Sequence, residues 1–246
     1  MDRPDLRDAW AGGGPRSVDR NVLAERGAPE KPYFAAVAAV AGASIAGRPG
    51  ARVLDIGCSA GAFVAYLSRE RPNLRCTGVD LLAPVVEAAR ANVPGADFAV
   101  ADLLDAATLP TGFDVTTMLG IHSLFDDPGC WIEPALSTLR PGGRLVAFGL
   151  FNDEPVDVLV RMRDSRPDAS GDWQTGWTTW SKRTVEQHLL RSGLSWTWHA
   201  YALDRRVERW SPDPLHSWTV DVDGEAATVN GGRLLHSHAI LEVTAP

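Results

Sequence analysis

The chain has 246 residues, 45% hydrophobic and 22% charged, a balance that suits a globular protein with one sizeable core. A formal charge of −7 argues against the broad basic face that nucleic acid requires, and no run approaches the roughly 18 apolar residues of a membrane span. Cys58, Cys76 and Cys130 form no CxxC pair and leave an odd thiol, so neither a disulfide framework nor a zinc site is expected.

Residues 1–31 are polar and punctuated by Gly12-Gly13-Gly14-Pro15 and Pro29, which reads as a loosely ordered arm. A helix is predicted over 32–46, with Pro32 in its first turn. This Ala-rich stretch is broken by Gly42 and has no basic leader, so it does not read as a secretory signal, and a cytoplasmic protein is expected. Strands follow at 51–56, 74–80, 96–102, 113–120 and 143–151, alternating with helices at 61–69, 83–92 and 130–139. Such alternation predicts an α/β fold: a doubly wound, Rossmann-like parallel sheet joined by right-handed crossovers.

Past residue 151 a helix is predicted at 155–163 and another at 182–192. Strand character returns at 194–203, 216–222 and 234–243, with the turn signals VDGE and VNGG between the last segments. The chain therefore divides into the arm at 1–31 and one domain at 32–246. Its core is 50–151, with insertions at about 152–180 and 204–235 and an antiparallel, aromatic-rich end.

The stretch VLDIGCSAGAF (53–63) carries the first chemical signal, a strand running into a glycine loop that opens a helix. A dinucleotide fingerprint would be G-x-G-x-x-G, but Ser59 stands at the middle glycine and no third glycine follows Gly61. Asp55 precedes the loop, where it would repel a pyrophosphate and attract an ammonium or sulfonium group. Asp80 ends the second strand and can accept both hydroxyls of a ribose. Asp102 ends the third strand, placed to accept from the exocyclic amine of adenine. Three acids at successive strand ends match amine, ribose and adenine, the polar groups of S-adenosylmethionine. The less favoured alternative for Asp80 is to cap the following helix, and for Asp102 to serve a turn.

With VLDIGCSAGAF, GVDLLAP, ADLLD, FDVTTMLGIHSLFDDP and LRPGGRLVAFG, residues 50–151 resemble the class I S-adenosylmethionine-dependent methyltransferases of small-molecule type. The resemblance implies a seven-stranded sheet whose last strand is antiparallel, with S-adenosylhomocysteine as product. It places Asp55 on the methionine amine, directly or through water, with Gly57, Cys58 and Gly61 lining the loop. It also places Leu81 beside the adenine, Leu103 with Asp102 at the other adenine edge, and Leu119 near the methyl donor.

An amine acceptor needs only to be neutral, whereas a hydroxyl usually wants a base within hydrogen-bond reach. His122, just past the fourth strand, is the candidate base, expected to face the mouth where methyl and acceptor meet; the alternative is a histidine that packs the following segment. Asn152 and Asp153 border the same mouth, with Asn152 a candidate for binding substrate and a turn role as its rival. Seven of the nine tryptophans fall between 173 and 218. Trp173 and Trp177 are candidates for an aromatic wall around a flat or cationic acceptor, or for the core of an add-on region. Trp196 and Trp198 alternate along a strand and are expected to pack together. Tyr33 and the arm could close over the cofactor as a lid. His236 and His238 also alternate, with His199 on a neighbouring strand, but no acidic triad follows strand four and no metal is expected.

The function expected is methyl transfer to oxygen or nitrogen of a polar small molecule: a natural product of secondary metabolism, an amino-acid derivative or a sugar. Strand four lacks the Asn/Asp-Pro-Pro-aromatic signature of adenine- or glutamine-directed members. The partner expected is a small-molecule acceptor, without nucleic acid or membrane; the oligomeric state is left open, a homodimer being one option. Two rival readings are a non-catalytic module binding S-adenosylmethionine or S-adenosylhomocysteine, and a dehydrogenase-like NAD binder, which Asp55 and Ser59 disfavour.

Overall fold

The computed structural model describes residues 30–163, 165, 173–203, 206–209 and 217–246. Of the expected N-terminal arm, only Glu30 and Lys31 are described residues; the rest lies outside them.

Helix α1 spans Phe34–Ser44, and strand β1, Arg52–Ile56, leads through the glycine loop into α2, Ala62–Glu70. Then come β2 (Arg75–Asp80), α3 (Ala83–Asn92), β3 (Asp97–Val100), β4 (Phe113–Leu119), α4 (Gly129–Ser137) and β5 (Leu139–Asn152). Two-residue strands β6 (Arg161–Met162), β7 (Gln174–Thr175) and β8 (Trp180–Ser181) precede α5 (Lys182–Arg191). Strands β9 (Ser195–Ala200), β10 (Trp218–Val222), β11 (Glu225–Val229) and β12 (His238–Thr244) complete the chain.

The main sheet runs β3-β2-β1-β4-β5-β12-β9, with β8 added beside the end of β5. Strands β1 to β5 pair in parallel, while β12 lies antiparallel between β5 and β9, which is the topology the resemblance implies. Both faces are covered. Leu54, Ile56, Met118 and Leu241 pack against Trp131 and Ile132 of α4 and Val185 and Leu189 of α5. On the other face Val53, Val115, Val146 and Ile240 pack against Phe34 and Val37 of α1, Phe63 and Val64 of α2 and Val86 of α3. This two-sided burial leaves Val53–Ile56 of β1 and Phe113–Met118 of β4 buried throughout, polar Asp55, Asp114, Thr116 and Thr117 included. Gly42 does not break α1: a side chain at that position would strike the guanidinium of Arg71, 2.8 Å away, so glycine permits close packing there.

One predicted element is absent. Residues 155–163 form no helix; Val158 bridges to Thr179 and β6 pairs with β7 in antiparallel fashion. The reason lies in local chemistry. Val156, Val158 and Val160 alternate with period 2, as in a strand, and β-branched residues resist helical packing. Asp157 adds a tertiary anchor, accepting from the Ser181 backbone N–H and the Thr184 hydroxyl at 2.7 Å each. The Asp-Gly signal closes the β10–β11 hairpin as expected, a separate two-stranded sheet.

Candidate active site

The carboxyl edge of the sheet gathers most of the expected residues. Gly57 and Cys58 donate their N–H groups to the Val79 carbonyl at 2.8 and 3.0 Å, folding the loop back over the end of β2. Gly57, Ser59 and Gly61 all hold positive φ, at 73°, 52° and 84°. For Ser59 this left-handed backbone is a local strain of the kind that surrounding structure must impose. The Asn92 side chain donates to the Ala60 carbonyl at 3.1 Å, pinning the same loop from α3. A Cβ at Gly57 would meet Ile121 Cγ2 at 2.6 Å. Gly57→Ala is therefore expected to lower stability by about 1–3 kcal/mol, read as a shift in the denaturant midpoint.

Asp55 is 3% exposed, and the Thr117 hydroxyl donates to its Oδ1 at 2.8 Å. Burial pushes its carboxyl up to about 7, helped by the nearby Asp80 charge and opposed by the Thr117 hydrogen bond and by Lys31. A carboxylate so poorly solvated gains most from a cation that joins it. Asp80 accepts from Ser59 N at 3.0 Å and from Leu82 N at 3.1 Å, so it ties the glycine loop to the start of α3. Its carboxyl is raised by burial despite these donors. Asp102 closes a turn by accepting from Leu104 N at 2.8 Å. Leu81 is half-buried at the end of β2, and Leu103 is buried against the core. Cys58 is buried and its thiol is pushed up by burial and by Asp55, so it is inert lining. Leu119 is half-buried on the face shared with Val146 and Phe148.

Two expected placements need correction. His122 does not face the mouth. A 3-10 turn over Ile121–Leu124 turns it inward, and it is 0% exposed. Its ring stacks on Phe151 (centroids 4.6 Å apart), meets Trp131 edge-on and contacts the Leu150 carbonyl through Nε2 at 3.2 Å. Burial lowers its pKa to about 4. Asn152 keeps its amide within its own loop, donating to the Val156 carbonyl at 3.0 Å and accepting from Glu154 N at 3.1 Å. Both polar groups of that side chain therefore serve the turn that replaces the predicted helix.

Trp173 is 63% exposed, with the Arg163 guanidinium 5.1 Å from its ring centre, and Trp177 is half-buried with a left-handed backbone, φ 56°. Trp196 and Trp198 pack together against the α4–α5 face, where Trp198 meets Phe151 at 4.8 Å and donates to Glu186 at 2.9 Å. Tyr33 stacks on Phe148 at 4.2 Å, so the start of α1 sits against the end of β5.

Sequence reasoning did not select the residues that share this face beyond Phe148. His238 pairs with Leu150 across the β5–β12 ladder, and its ring lies 5.5 Å from Phe148 and 6.3 Å from Tyr201. Their alternation along a strand was legible, but the long-range register that brings them to the mouth was not. Among the described residues no group of three His, Cys, Asp or Glu side chains could hold a metal ion, and no helix is long and apolar enough to cross a membrane.

Residues 53–143, a little over a third of the chain, match the family model described as a methyltransferase domain. Among curated relatives, a trans-aconitate 2-methyltransferase of Rhodopseudomonas palustris (strain BisB18) is 33% identical over 111 residues, 45% of this chain and 43% of that protein. A carboxy-S-adenosyl-L-methionine synthase of Aeromonas salmonicida (strain A449) is 33% identical over 138 residues, 50% of this chain and 55% of that protein. The chain thus spans about half the length of the curated relatives it matches. Among solved structures, an amino pentose methyltransferase of Micromonospora echinaspora shares the fold with a TM-score of 0.54 at 19% identity, over 92% of this chain and 95% of that one. A chain in the complex of the Haloferax volcanii Trm112 methyltransferase activator with a methyltransferase superposes at 0.59, 19% identity and 100% coverage of both. Residues 53–143 are thus similar to a methyltransferase domain, and the chain shares the fold of the solved methyltransferase structures on which it superposes.

Proposed function

We propose that the chain transfers a methyl group from S-adenosylmethionine to an oxygen or nitrogen atom of a polar small molecule by in-line displacement. The observation that carries this reading is Asp55: a buried carboxylate at the mouth of a glycine loop, raised to about 7 and in want of a cation. The residues present fit the donor. Asp55 would neutralise its ammonium, Asp80 would accept from its ribose, and Asp102 with Leu81 and Leu103 would border its adenine. When bound, S-adenosylmethionine supplies an electrophilic methyl carbon on a sulfonium. The chain's task is then alignment and exclusion of water, with Leu119, Phe148 and Tyr33 forming an apolar wall beside the reacting centre. With His122 enclosed on the opposite face, it acts in this reading as packing beneath β5 and not as a base. A small organic acceptor such as a natural product, amino-acid derivative or sugar suits so confined an edge.

Asp80→Ala is expected to weaken S-adenosylmethionine binding by about 1.5–3 kcal/mol in calorimetry, the scale of hydrogen bonds to a charged group. Unchanged affinity would remove Asp80 from the ribose role. The activity itself is tested by incubating the chain with methyl-labelled S-adenosylmethionine and a broad small-metabolite extract, with products read by mass spectrometry. A labelled small molecule supports the proposal. Donor binding without any labelled product favours a non-catalytic binder.

A further inference from the structure

The mouth beyond Leu119 holds two histidines that the donor site does not use. His238 opens β12 at the level of Leu150, two residues past Phe148 toward the carboxyl edge. Its ring lies parallel to Phe148, with an interplanar angle of 8° at 5.5 Å, and edge-on to Tyr201, at 75° and 6.3 Å. Phe148 is paired in turn with Leu119 of β4, and Tyr33 stacks on it. His238 is thereby coupled through a single aromatic ring to the position expected beside the methyl donor.

His236 stands behind it, with ring centres 6.3 Å apart and planes at 80°. Its backbone is fixed by a bridge to Thr228, His236 N donating to the Thr228 carbonyl at 2.8 Å. Its ring is buried, at 9% exposure, and both ring nitrogens lack a hydrogen-bond partner among the described residues. Asn230 Nδ2, on a side chain 2% exposed, is likewise unpartnered. Leaving a buried donor or acceptor unsatisfied costs about 1–3 kcal/mol each, so several in one region point to a polar ligand that completes them.

We propose that the pair His236 and His238 forms the acceptor site, receiving the hydroxyl of a phenolic small molecule, with His238 taking its proton during transfer. This rests on the methyl-transfer reading above. In the step, the acceptor oxygen forms a bond to the methyl carbon while the carbon–sulfur bond breaks. The electron pair of that bond stays on sulfur, which becomes a neutral thioether. The O–H proton moves to a ring nitrogen of His238 and leaves from the imidazolium to water. Burial, together with His236 and His122, lowers His238 to about 4, so its imidazole is neutral near pH 7 and free to accept. The O–H grows more acidic as the new carbon–oxygen bond forms, which lets a neutral imidazole take its proton. Such a base suits a phenol, whose ordinary pKa is near 10, better than an aliphatic alcohol. The half-buried rings of Tyr33 and Tyr201, which flank the buried Phe148, favour an aromatic body over a sugar. His236 would hold a second polar group on the same ring.

The test uses the full chain, methyl-labelled S-adenosylmethionine and matched acceptors: catechol and 4-hydroxybenzoate against aniline and 4-aminobenzoate. Donor affinity is measured first by calorimetry, and His238→Gln and His238→Asn are compared with wild type by circular dichroism and thermal melting. The expected result is a labelled aryl methyl ether. Whichever folded His238 variant is used should lower kcat about 100-fold or more with unchanged donor affinity. His236→Gln should raise KM for the phenol with kcat within a few fold. Methylation of the amines alone, or turnover indifferent to His238, overturns this site while leaving methyl transfer intact. Donor binding with no methylation of any of the four also overturns it. Failure of the wild-type chain to bind the donor overturns the methyl-transfer reading first, and this inference with it.

Discussion

Asp55→Asn is expected to make the empty chain more stable above pH 7 while depriving it of its donor. Asp55 is raised from 3.8 to about 7 chiefly by burial, so the folded chain holds a proton that the unfolded chain has already released. Its contribution to stability is fully present below the ordinary carboxylate range. It is lost progressively as pH rises toward 7 and stays lost above it. Asparagine does not titrate and keeps an oxygen to accept from Thr117, so the variant's advantage should grow through that window and level off. A gain of about 2–4 kcal/mol is the scale of such a shift, measured by thermal or chemical denaturation at pH 5 and pH 8. Binding should move in the opposite direction, with a loss of about 3 kcal/mol or more, because the donor's ammonium would meet no carboxylate. In the wild type, donor affinity should rise between pH 5.5 and 7.5 as Asp55 ionises. A variant that binds the donor as well as the wild type would show that the carboxylate does not face the amine.

The second large effect concerns the other face of β5. Gly149→Ala would place a Cβ 2.0 Å from His122 Cε1, with Nδ1 and Nε2 within 3.0 Å. His122 has nowhere to retreat, being held between Phe151 and Trp131. The substitution should cost about 1–3 kcal/mol or more. His122→Ala alone should leave a cavity and cost about 2–4 kcal/mol. Combined, the two changes should cost less than their sum, because the new methyl enters the space the imidazole vacates. Below their melting temperatures, His122→Ala should keep turnover within tenfold of wild type. A loss of about 10²–10⁴-fold, the scale of a general base, would return His122 to the chemistry.

The contrast between these residues shows what the sequence could carry. Asp55 and Asp80 are legible because a strand end fixes both position and environment, and Asp102 because it opens the turn two residues past the end of β3. The parallel core and its helices are legible because each element's own periodicity decides it. His122 also follows a strand end, but the direction of its side chain depends on a four-residue 3-10 turn whose geometry no periodicity announces. The helix predicted at 155–163 does not form because its valines alternate with period 2 and its partners lie far along the chain, at Thr179 and Ser181. His236 and His238 needed the pairing of β12 with β5 and of Thr228 with His236, contacts made across dozens of intervening residues or across a turn. The residues proposed to hold the donor are placed by local chemistry, and those proposed for the acceptor by long-range register.

The most direct test of the donor site is calorimetric titration of the full chain at pH 7.5 with S-adenosylmethionine, S-adenosylhomocysteine and NAD in parallel, for wild type and Asp55→Asn. The expected result is saturable binding of the first two ligands by wild type, markedly weakened in the variant, with no binding of NAD. Binding of NAD that persists or improves in Asp55→Asn, with no heat from S-adenosylmethionine, would contradict it.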